Sequence, residues 1–192
     1  MALIKDDDAL IAAALKGSTY AWDKLVRRYE GRVYNYGLRL TGNPTDAMDL
    51  MQEVFLGVCR NLHKFRGDSK FSSWLFRIAH NKAVDMRRRR WLLQQHGSIG
   101  VDEIDELDMQ ENRADCGPES SLISGQQNRR IRKLLEGLPM DQRLVVELKF
   151  FQFQTFEEIA DMQDISVNTA KTRFYSALKK LKAAMEEEHV LS

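Results

Sequence analysis

One stretch of the sequence, residues 64–91, combines aromatic and cationic side chains in a pattern suited to nucleic acid. Phe71, Trp74 and Phe76 lie close together, and an uninterrupted run of arginines follows at 87–90. Aromatic rings stack on unpaired bases and guanidinium groups neutralise phosphates, so this stretch could hold a single strand. The same residues also fit a buried aromatic cluster followed by a solvated helix end, and the stretch by itself leaves both interpretations open.

The helix predicted within this stretch, from about residue 72 to residue 93, presents one polar ridge. Ser72 or Ser73 can cap its N-terminus. An amide and a carboxylate on a single ridge can read base edges as well as phosphates. The ridge carries Trp74, Asn81, Asp85 and Arg88.

A second pattern with chemical meaning lies near the C-terminus. Thr155 and Glu158 form a capping box at the start of a short helix that ends near Met162. A tight turn follows, and Ser166 can cap a longer helix. This pattern is typical of a helix-turn-helix, whose second helix enters the major groove, although an ordinary hairpin of two helices is the alternative. The outer face of the second helix offers groups for base edges and phosphates, namely Asn168, Lys171, Thr172, Tyr175 and Lys179.

A third pattern is a stripe of acids at i, i+3 and i+7 on the helix predicted from residue 44 to about residue 62. The stripe consists of Asp46, Asp49 and Glu53, and Asn43 is a suitable N-cap before Pro44. Such stripes are usually solvated surface. In an otherwise basic region, this stripe predicts a face for a basic protein partner.

The elements that must position these residues are all predicted to be helices. Only three prolines occur, and apolar residues recur at spacings of three and four. We therefore predict an all-α protein of two small helical domains, at residues 1–95 and 126–192, joined by a flexible acidic linker at residues 96–125. Residues 1–95 contain 17 lysines and arginines against 10 acids, whereas the linker contains one arginine against 8 acids. A basic domain beside an acidic connector fits a polyanionic partner.

Several classes of protein are excluded by what the 192 residues contain. No apolar run approaches the roughly 18 residues of a membrane span, and the N-terminus does not fit a secretion signal. Cys59 and Cys116 match no zinc spacing and no disulfide framework, which favours a reducing cytosol. The four histidines show no metal spacing, and no nucleophile motif or phosphate loop occurs. We therefore expect no enzyme, no metal, no cofactor and no small-molecule substrate.

These motifs together resemble the sigma-70 family of RNA polymerase sigma factors, in the extracytoplasmic-function (ECF) group with two folded domains. The resemblance covers nearly the whole chain. In the first half it rests on residues 46–55 and 65–71, followed by Trp74, residues 78–81 and Asp85. In the second half it rests on residues 138–139, 142–143, 156–160 and 166–173.

The resemblance implies a role for each pattern. The acidic helix would dock on the clamp helices of the polymerase β′ subunit through Asp46, Asp49, Gln52, Glu53 and Phe55. The loop and helix after it would recognise the −10 promoter element and capture a flipped base through Lys64, Arg66, Ser69, Lys70, Phe71, Trp74, Asn81, Asp85 and Arg88. The helix-turn-helix would read the −35 duplex through Ser166, Asn168, Thr169, Lys171, Thr172, Arg173, Tyr175 and Lys179.

The implied partners are core RNA polymerase, through its β′ clamp helices and β flap, promoter DNA, and an anti-sigma factor. A stress-responsive initiation factor of this kind would work in the bacterial cytoplasm, where a membrane-bound anti-sigma factor could hold it at the inner membrane. A free-standing helix-turn-helix regulator is the alternative, and it would bind duplex DNA tightly without polymerase.

The recognition helix departs from the family pattern at several positions. Asn168 and Ala170 stand where relatives often carry Gly and Val, and Ser176 and Leu178 stand where many carry Arg. The loss of two cations predicts that phosphate anchoring depends on other residues of this helix, namely Lys179, Lys180 and Lys182.

Overall fold

The computed structural model describes residues 3–95 and 129–190, with side chains for residues 7–93 and 129–187. The first part contains α1 (Leu3–Leu15), α2 (Thr19–Thr41), α3 (Pro44–Asn61), a 3₁₀ turn (Leu62–Lys64) and α4 (Phe71–Gln95). The second part contains α5 (129–136), α6 (Met140–Val146), a π-helical turn (Glu147–Phe151), α7 (Phe156–Gln163) and α8 (Val167–Val190). The regular elements in these two ranges are all helical, which confirms the all-α prediction. The predicted linker and Cys116 lie outside the described residues.

Local capping explains where α2 begins and ends and where α3 begins. The Ser18 hydroxyl accepts a hydrogen bond from the backbone N–H of Ala21, and Gly42, at φ 71°, ends α2 in the left-handed conformation. The Asn43 side chain accepts from the backbone N–H groups of Thr45 and Asp46. The predicted cap of α3 is therefore confirmed.

The start of α1 differs from the prediction. The sequence favours a helix from about Asp8 with an aspartate as its cap, but α1 begins at Leu3 and Asp7 lies inside it. The buried carboxylate of Asp7 accepts hydrogen bonds from Tyr29 Oη and Arg28 Nη1, both at 2.5 Å. These hydrogen bonds connect α1 to α2, and Asp7 does not act as a cap.

The start of α4 also differs from the prediction. The helix begins at Phe71, and Ser73 is not its cap. The Ser73 hydroxyl is buried and lies 2.8 Å from Gln154 Oε1 and 2.7 Å from Glu158 Oε1, in the second part of the chain. Its position near the start of α4 predicts that Ser73 caps the helix. In the structure its hydroxyl instead bonds residues that are more than 80 positions away in the sequence.

The aromatic residues that begin the 64–91 stretch belong mainly to the core. Phe71 is 4% exposed and Phe76 is fully buried. The Phe71 ring lies 5.4 Å from Tyr29, 5.6 Å from Phe65 and 5.7 Å from Trp74 between centroids. Such packing stabilises the region around α4 and fixes the loop that precedes it. For Phe71 and Phe76 the core interpretation of the aromatic pattern is therefore the one that the structure supports.

Both parts of the chain contribute to one hydrophobic core. Buried residues of α6, the π-helical turn, α7 and α8 pack in the same cluster as the core of α1–α4. The second-part members are Leu144, Val145, Leu148, Ile159, Met162 and Ala170. The two groups of helices are thus packed against each other, an arrangement that the sequence did not predict. None of the helices in the described ranges is long and apolar enough to cross a membrane.

Burial of His80 predicts a loss of stability in mild acid. Its pKa is lowered from 6.5 to about 4 because burial disfavours the imidazolium, and its Nδ1 has no hydrogen-bond partner among the described residues. The unfolded chain therefore binds more protons than the folded chain between these two values. The free energy of unfolding is expected to fall by about 3 kcal/mol as the pH decreases from 6.5 to 4.

Urea unfolding at several pH values measures this loss. His80→Leu should remove about that much of the acid sensitivity, whereas His63→Leu, at an exposed histidine, should leave it unchanged. Equal acid sensitivity in the wild type and His80→Leu would contradict the assignment.

Candidate polymerase and nucleic-acid interfaces

The acidic stripe of α3 lies at the surface, but two of its three acids are paired with cations of α4. Asp46 forms an ion pair with Arg90, and the Glu53 carboxylate accepts from Lys82 Nζ at 2.8 Å. The hydrogen bond from Lys82 lowers the pKa of Glu53. A protein partner that used these two carboxylates would have to share or displace the cations of α4.

The other predicted polymerase contacts on α3 are more accessible. Asp49 and Gln52 are exposed, and Phe55 is half-buried. In the sequence, Asp49 lies between Asp46 and Glu53, the two acids that are ion-paired. Among the described acids of this stripe, Asp49 is therefore the one most open to a basic partner.

The end of the 3₁₀ turn and the loop before α4 present four of the predicted DNA contacts to solvent. Lys64, Arg66, Ser69 and Lys70 are all exposed. Gly67, at φ 78°, provides the left-handed turn that the loop needs. The ends of the loop are fixed by Phe65 and Phe71, which pack on each other, so the buried Phe71 positions the loop in this conformation.

The polar ridge of α4 is assembled as predicted, but its members differ in accessibility. Asn81 is exposed, and Asp85 forms an i, i+3 ion pair with Arg88 at 3.1 Å. Trp74 is half-buried beside Phe65, with 5.5 Å between ring centroids. The ridge therefore offers a free amide, an ion pair and the exposed part of an indole ring. The polar groups can form hydrogen bonds with an unpaired base, and the indole ring can stack on it.

The helix-turn-helix has the geometry that its capping residues predict. The Thr155 hydroxyl accepts from the backbone N–H of Glu158 at 3.1 Å, and the Glu158 carboxylate accepts from the backbone N–H of Thr155 at 2.7 Å. Asp164, at φ 53°, ends α7 in the left-handed conformation. The Ser166 hydroxyl then accepts from the backbone N–H of Thr169 at 3.0 Å and caps α8. The capping box and the second cap are confirmed.

The outer face of α8 carries most of the predicted −35 contacts in exposed positions. Ser166, Asn168, Lys171, Thr172, Tyr175 and Lys179 are exposed. Thr169 and Arg173 are half-buried. Arg173 is paired with Asp141 of α6 at 3.1 Å and bonds Gln163 of α7 at 3.4 Å. In this conformation Arg173 joins three helices, and a DNA contact would require it to leave Asp141.

A set of polar residues joins the two parts of the chain, and this role was not predicted from the sequence. Glu147 is fully buried and Arg39 bonds it through two nitrogens, while Arg32 bonds Gln152 and Arg77 pairs with Asp161. One signal was available, because a carboxylate within the apolar segment 144–151 is unusual. The identity of its partner depends on packing and could not be obtained from local spacing.

The chain matches two family models and several characterised relatives. Residues 25–92 match Sigma-70 region 2 and residues 128–181 match Sigma-70, region 4. The ECF RNA polymerase sigma-E factor of Escherichia coli (strain K12) is 31% identical over 178 residues, covering 89% of this chain and 90% of the relative. The RNA polymerase sigma-H factor of Pseudomonas aeruginosa is 26% identical over 183 residues, covering 95% of each.

Solved structures support the fold independently. CnrH, solved with the cytosolic domain of CnrY, superimposes with a TM-score of 0.65 at 24% identity, over 95% of this chain and 98% of that chain. The sigma factor RpoE from Bartonella quintana, solved with the anti-sigma factor NepR, gives 0.65 at 19% identity, over 85% of this chain and 96% of that chain. With both family models matched in order and a relative above 30% identity over most of its length, the chain belongs to the sigma-70 family of RNA polymerase sigma factors, in its ECF group.

Proposed function

We propose that this sigma factor binds core RNA polymerase, recognises the −10 and −35 promoter elements and opens DNA at the start site. The observation that carries this proposal is the presence, in one chain, of an exposed helix-turn-helix face, an exposed loop before α4 and a ridge of α4 on which Asn81 and Arg88 are exposed. The chain would supply specificity and strand capture and no catalytic step of its own. We propose residues 1–95 and 126–192 as the two functional domains, with residues 96–125 as their connector.

Polymerase contact is assigned to the acidic face of α3. Asp49 and Gln52 are accessible at once, while Asp46 and Glu53 become available when a basic surface replaces Arg90 and Lys82. Exposed charges of this kind steer association and fix orientation. The clamp helices of β′ are the proposed partner of this face, and the β flap is a second polymerase contact for the chain.

Recognition of the −10 element is assigned to the loop before α4 and to the ridge of α4. Capture of a flipped base offsets an unstacking cost on the order of a few kcal/mol per base. Asn81 and the accessible part of Trp74 would receive such a base, and the exposed cations Lys64, Arg66 and Lys70 would hold the neighbouring phosphates. Phe71 acts by fixing the loop.

Regulation by an anti-sigma factor is part of the proposal. Two of the similar solved structures, CnrH and RpoE, are complexes whose partners are the cytosolic domain of CnrY and the anti-sigma factor NepR. We propose that this chain works in the cytoplasm, where polymerase and promoter DNA are found. An anti-sigma factor that is itself membrane-bound could retain it at the inner membrane.

The proposed function is tested by gel filtration with core polymerase followed by run-off transcription. A sigma factor should co-elute with core polymerase and give promoter-dependent transcripts that core polymerase alone does not produce. A free-standing regulator should instead bind duplex DNA tightly on its own and form no stable polymerase complex. Absence of both co-elution and transcripts would overturn the proposal.

Lys171→Ala is expected to weaken binding to −35 duplex DNA by about 1–3 kcal/mol if Lys171 makes a good base contact. The side chain is exposed on the outer face of α8, so its removal should leave the fold intact. Fluorescence anisotropy with a labelled −35 duplex and the polymerase holoenzyme measures the change. Lys133→Ala, at an exposed lysine of α5, is the control, and equal affinities for both variants would contradict the recognition-helix assignment.

A further inference from the structure

Helix α4 approaches α3 closely because α3 carries a buried glycine, Gly57, at a point of contact. A Cβ atom at this position would lie 3.1 Å from Ile78 Cγ2 and 3.8 Å from Lys82 Cε. Carbon atoms pack best at about 3.5–4.0 Å, so a larger side chain at position 57 would push the two helices apart. About one turn away on α3, Lys82 Nζ lies 2.8 Å from Glu53 Oε2. The close approach therefore keeps Lys82 within reach of this carboxylate.

The ion pairs between the two helices follow one antiparallel register. Asp46 lies seven residues before Glu53 on α3, and its partner Arg90 lies eight residues after Lys82 on α4. Each step is about two helical turns, so the same two faces meet at both points. Asp49 lies between the paired acids and forms no ion pair with a described residue. The cations of α4 therefore cover the two ends of the acidic stripe and leave its middle open.

Both ion pairs can be reached from solvent. The Glu53 side chain is 51% exposed and the Arg90 side chain is 53% exposed. Asp46 is more enclosed, but it lies in the first turn of α3, where the helix dipole stabilises a negative charge. Its Oδ2 atom has no hydrogen-bond partner among the described residues. Exposed ion pairs contribute little to folding, so a variant that loses Lys82 or Arg90 should keep its fold.

The charge of Glu53 is compensated within the chain itself. The hydrogen bond and the charge of Lys82 lower the pKa of Glu53, and the charges of Arg89 and Arg60 act in the same direction. Glu53 is therefore ionised while cations of its own chain surround it. A basic surface that approaches this carboxylate has to compete with cations that are already in place.

We infer that Lys82 and Arg90 set the affinity of this sigma factor for core RNA polymerase, because they occupy carboxylates that a basic polymerase surface would bind. This inference rests on the proposed function, since the acidic face of α3 is the proposed docking surface. Asp49 offers its charge to polymerase without competition. Asp46 and Glu53 offer theirs only after an intramolecular ion pair is broken.

Binding of polymerase at Asp46 and Glu53 is then an exchange of one set of cations for another. Only the difference between the two sets of ion pairs contributes to the affinity. Both competing cations belong to the same chain as the acids, so the competition does not depend on protein concentration. The α4 cations thus hold the affinity below the value that the acidic stripe alone would give.

Lys82→Met and Arg90→Met test this role. Methionine keeps an unbranched apolar stem and removes the charge. Each variant should bind core polymerase about two- to fivefold more tightly than the wild type, in line with the strength of exposed ion pairs. The two sites are about 10 Å apart along the helices, so their effects should add and the double variant should gain about 4-fold to 25-fold. Surface binding with immobilised core polymerase measures these changes.

Arg87→Met is the matched control. Arg87 is an exposed arginine of the same run on α4, and it forms no ion pair with a described residue. Its replacement makes the same change of net charge and should leave the polymerase affinity close to that of the wild type. Helix content and thermal unfolding of each variant establish that the fold is retained.

Glu53→Gln provides a second comparison, because it removes the carboxylate for which Lys82 and polymerase compete. In this background Lys82→Met should change the affinity no more than Arg87→Met does. A gain as large as in the wild-type background would show that Lys82 acts on polymerase through general charge repulsion, and this would overturn the inference.

The remaining outcomes separate this inference from the proposed function. Equal polymerase affinities of the wild type, Lys82→Met and Arg90→Met would overturn the inference and leave the docking face in place. Weaker binding of Lys82→Met and Arg90→Met would show that these cations contact polymerase themselves, which would also overturn it. Failure of the wild type and of all variants to bind polymerase would overturn the proposed function and the inference with it.

Discussion

Asp49→Lys is expected to abolish co-migration of the sigma factor with core RNA polymerase. Asp49 is exposed on α3, between two acids that are already paired with cations of α4. A lysine there would meet the basic surface proposed for the β′ clamp helices, and like charges brought together at an interface cost several kcal/mol. The expected loss of affinity is therefore at least about 100-fold, since each 1.4 kcal/mol is a factor of ten.

Gel filtration or surface binding with core polymerase measures this loss. Glu30→Lys, at an exposed acid of α2, makes the same change of net charge and should bind as the wild type does. The Asp49→Lys variant should keep its helix content and its unfolding temperature, because its side chain lies at the surface. Undiminished binding of polymerase would show that the acidic face of α3 is not the docking surface.

Asn81→Ala is expected to block promoter opening while it preserves initial binding to the duplex. Asn81 is the exposed amide of the α4 ridge, and an amide can hold a flipped base through two hydrogen bonds. Its loss should remove on the order of 1–3 kcal/mol from the open complex, which corresponds to about 5-fold to 150-fold in the opening equilibrium. The half-buried Trp74 is a less clean choice, because its removal would also disturb the packing of Phe65 and Phe71.

Permanganate reactivity of unpaired thymines near the start site reports opening, and a gel shift of the holoenzyme on duplex promoter reports initial binding. The matched control is Asn35→Ala, which removes an exposed asparagine from the middle of α2. Normal permanganate reactivity for Asn81→Ala would refute the role assigned to the ridge. A parallel loss of duplex binding would show that Asn81 acts before opening.

The sequence determined those features of this protein in which a residue interacts with neighbours a few positions away. The capping box of Thr155 and Glu158 and the Asn43 cap of α3 depend on backbone groups two or three residues distant. The spacing of apolar residues at three and four positions within each helix also depends only on nearby residues. They were enough to define the all-α class, the helix-turn-helix and the polar ridge that contains Asn81, and the motifs they carry identified the family.

The tertiary structure alone decided how these helices use their remaining polar groups. Ser73 resembles an N-cap, but it bonds Gln154 and Glu158, and Asp7 bonds residues of α2 and does not cap α1. Spacing also cannot show that an accessible acid such as Glu53 is already paired with Lys82. Which of several equally polar surface positions meets a partner depends on how the helices pack, and periodicity within one helix contains no information on that packing.

The packing of the two parts against each other is the clearest feature that the tertiary structure alone decided. Arg39 and Glu147 are 108 residues apart. The apolar neighbours of Glu147 in the sequence make it an unusual carboxylate, but nothing in them identifies Arg39 as its partner. The burial of this pair follows from the position of a π-helical turn against α2, a geometry set by the shared apolar core of both parts. The sequence therefore determined the helices, caps and motifs on which the proposed DNA and polymerase contacts of this sigma factor depend. Only the folded arrangement decided that the two parts of the chain pack together through the buried Arg39–Glu147 pair, because a long-range ion pair is selected by packing and not by local spacing.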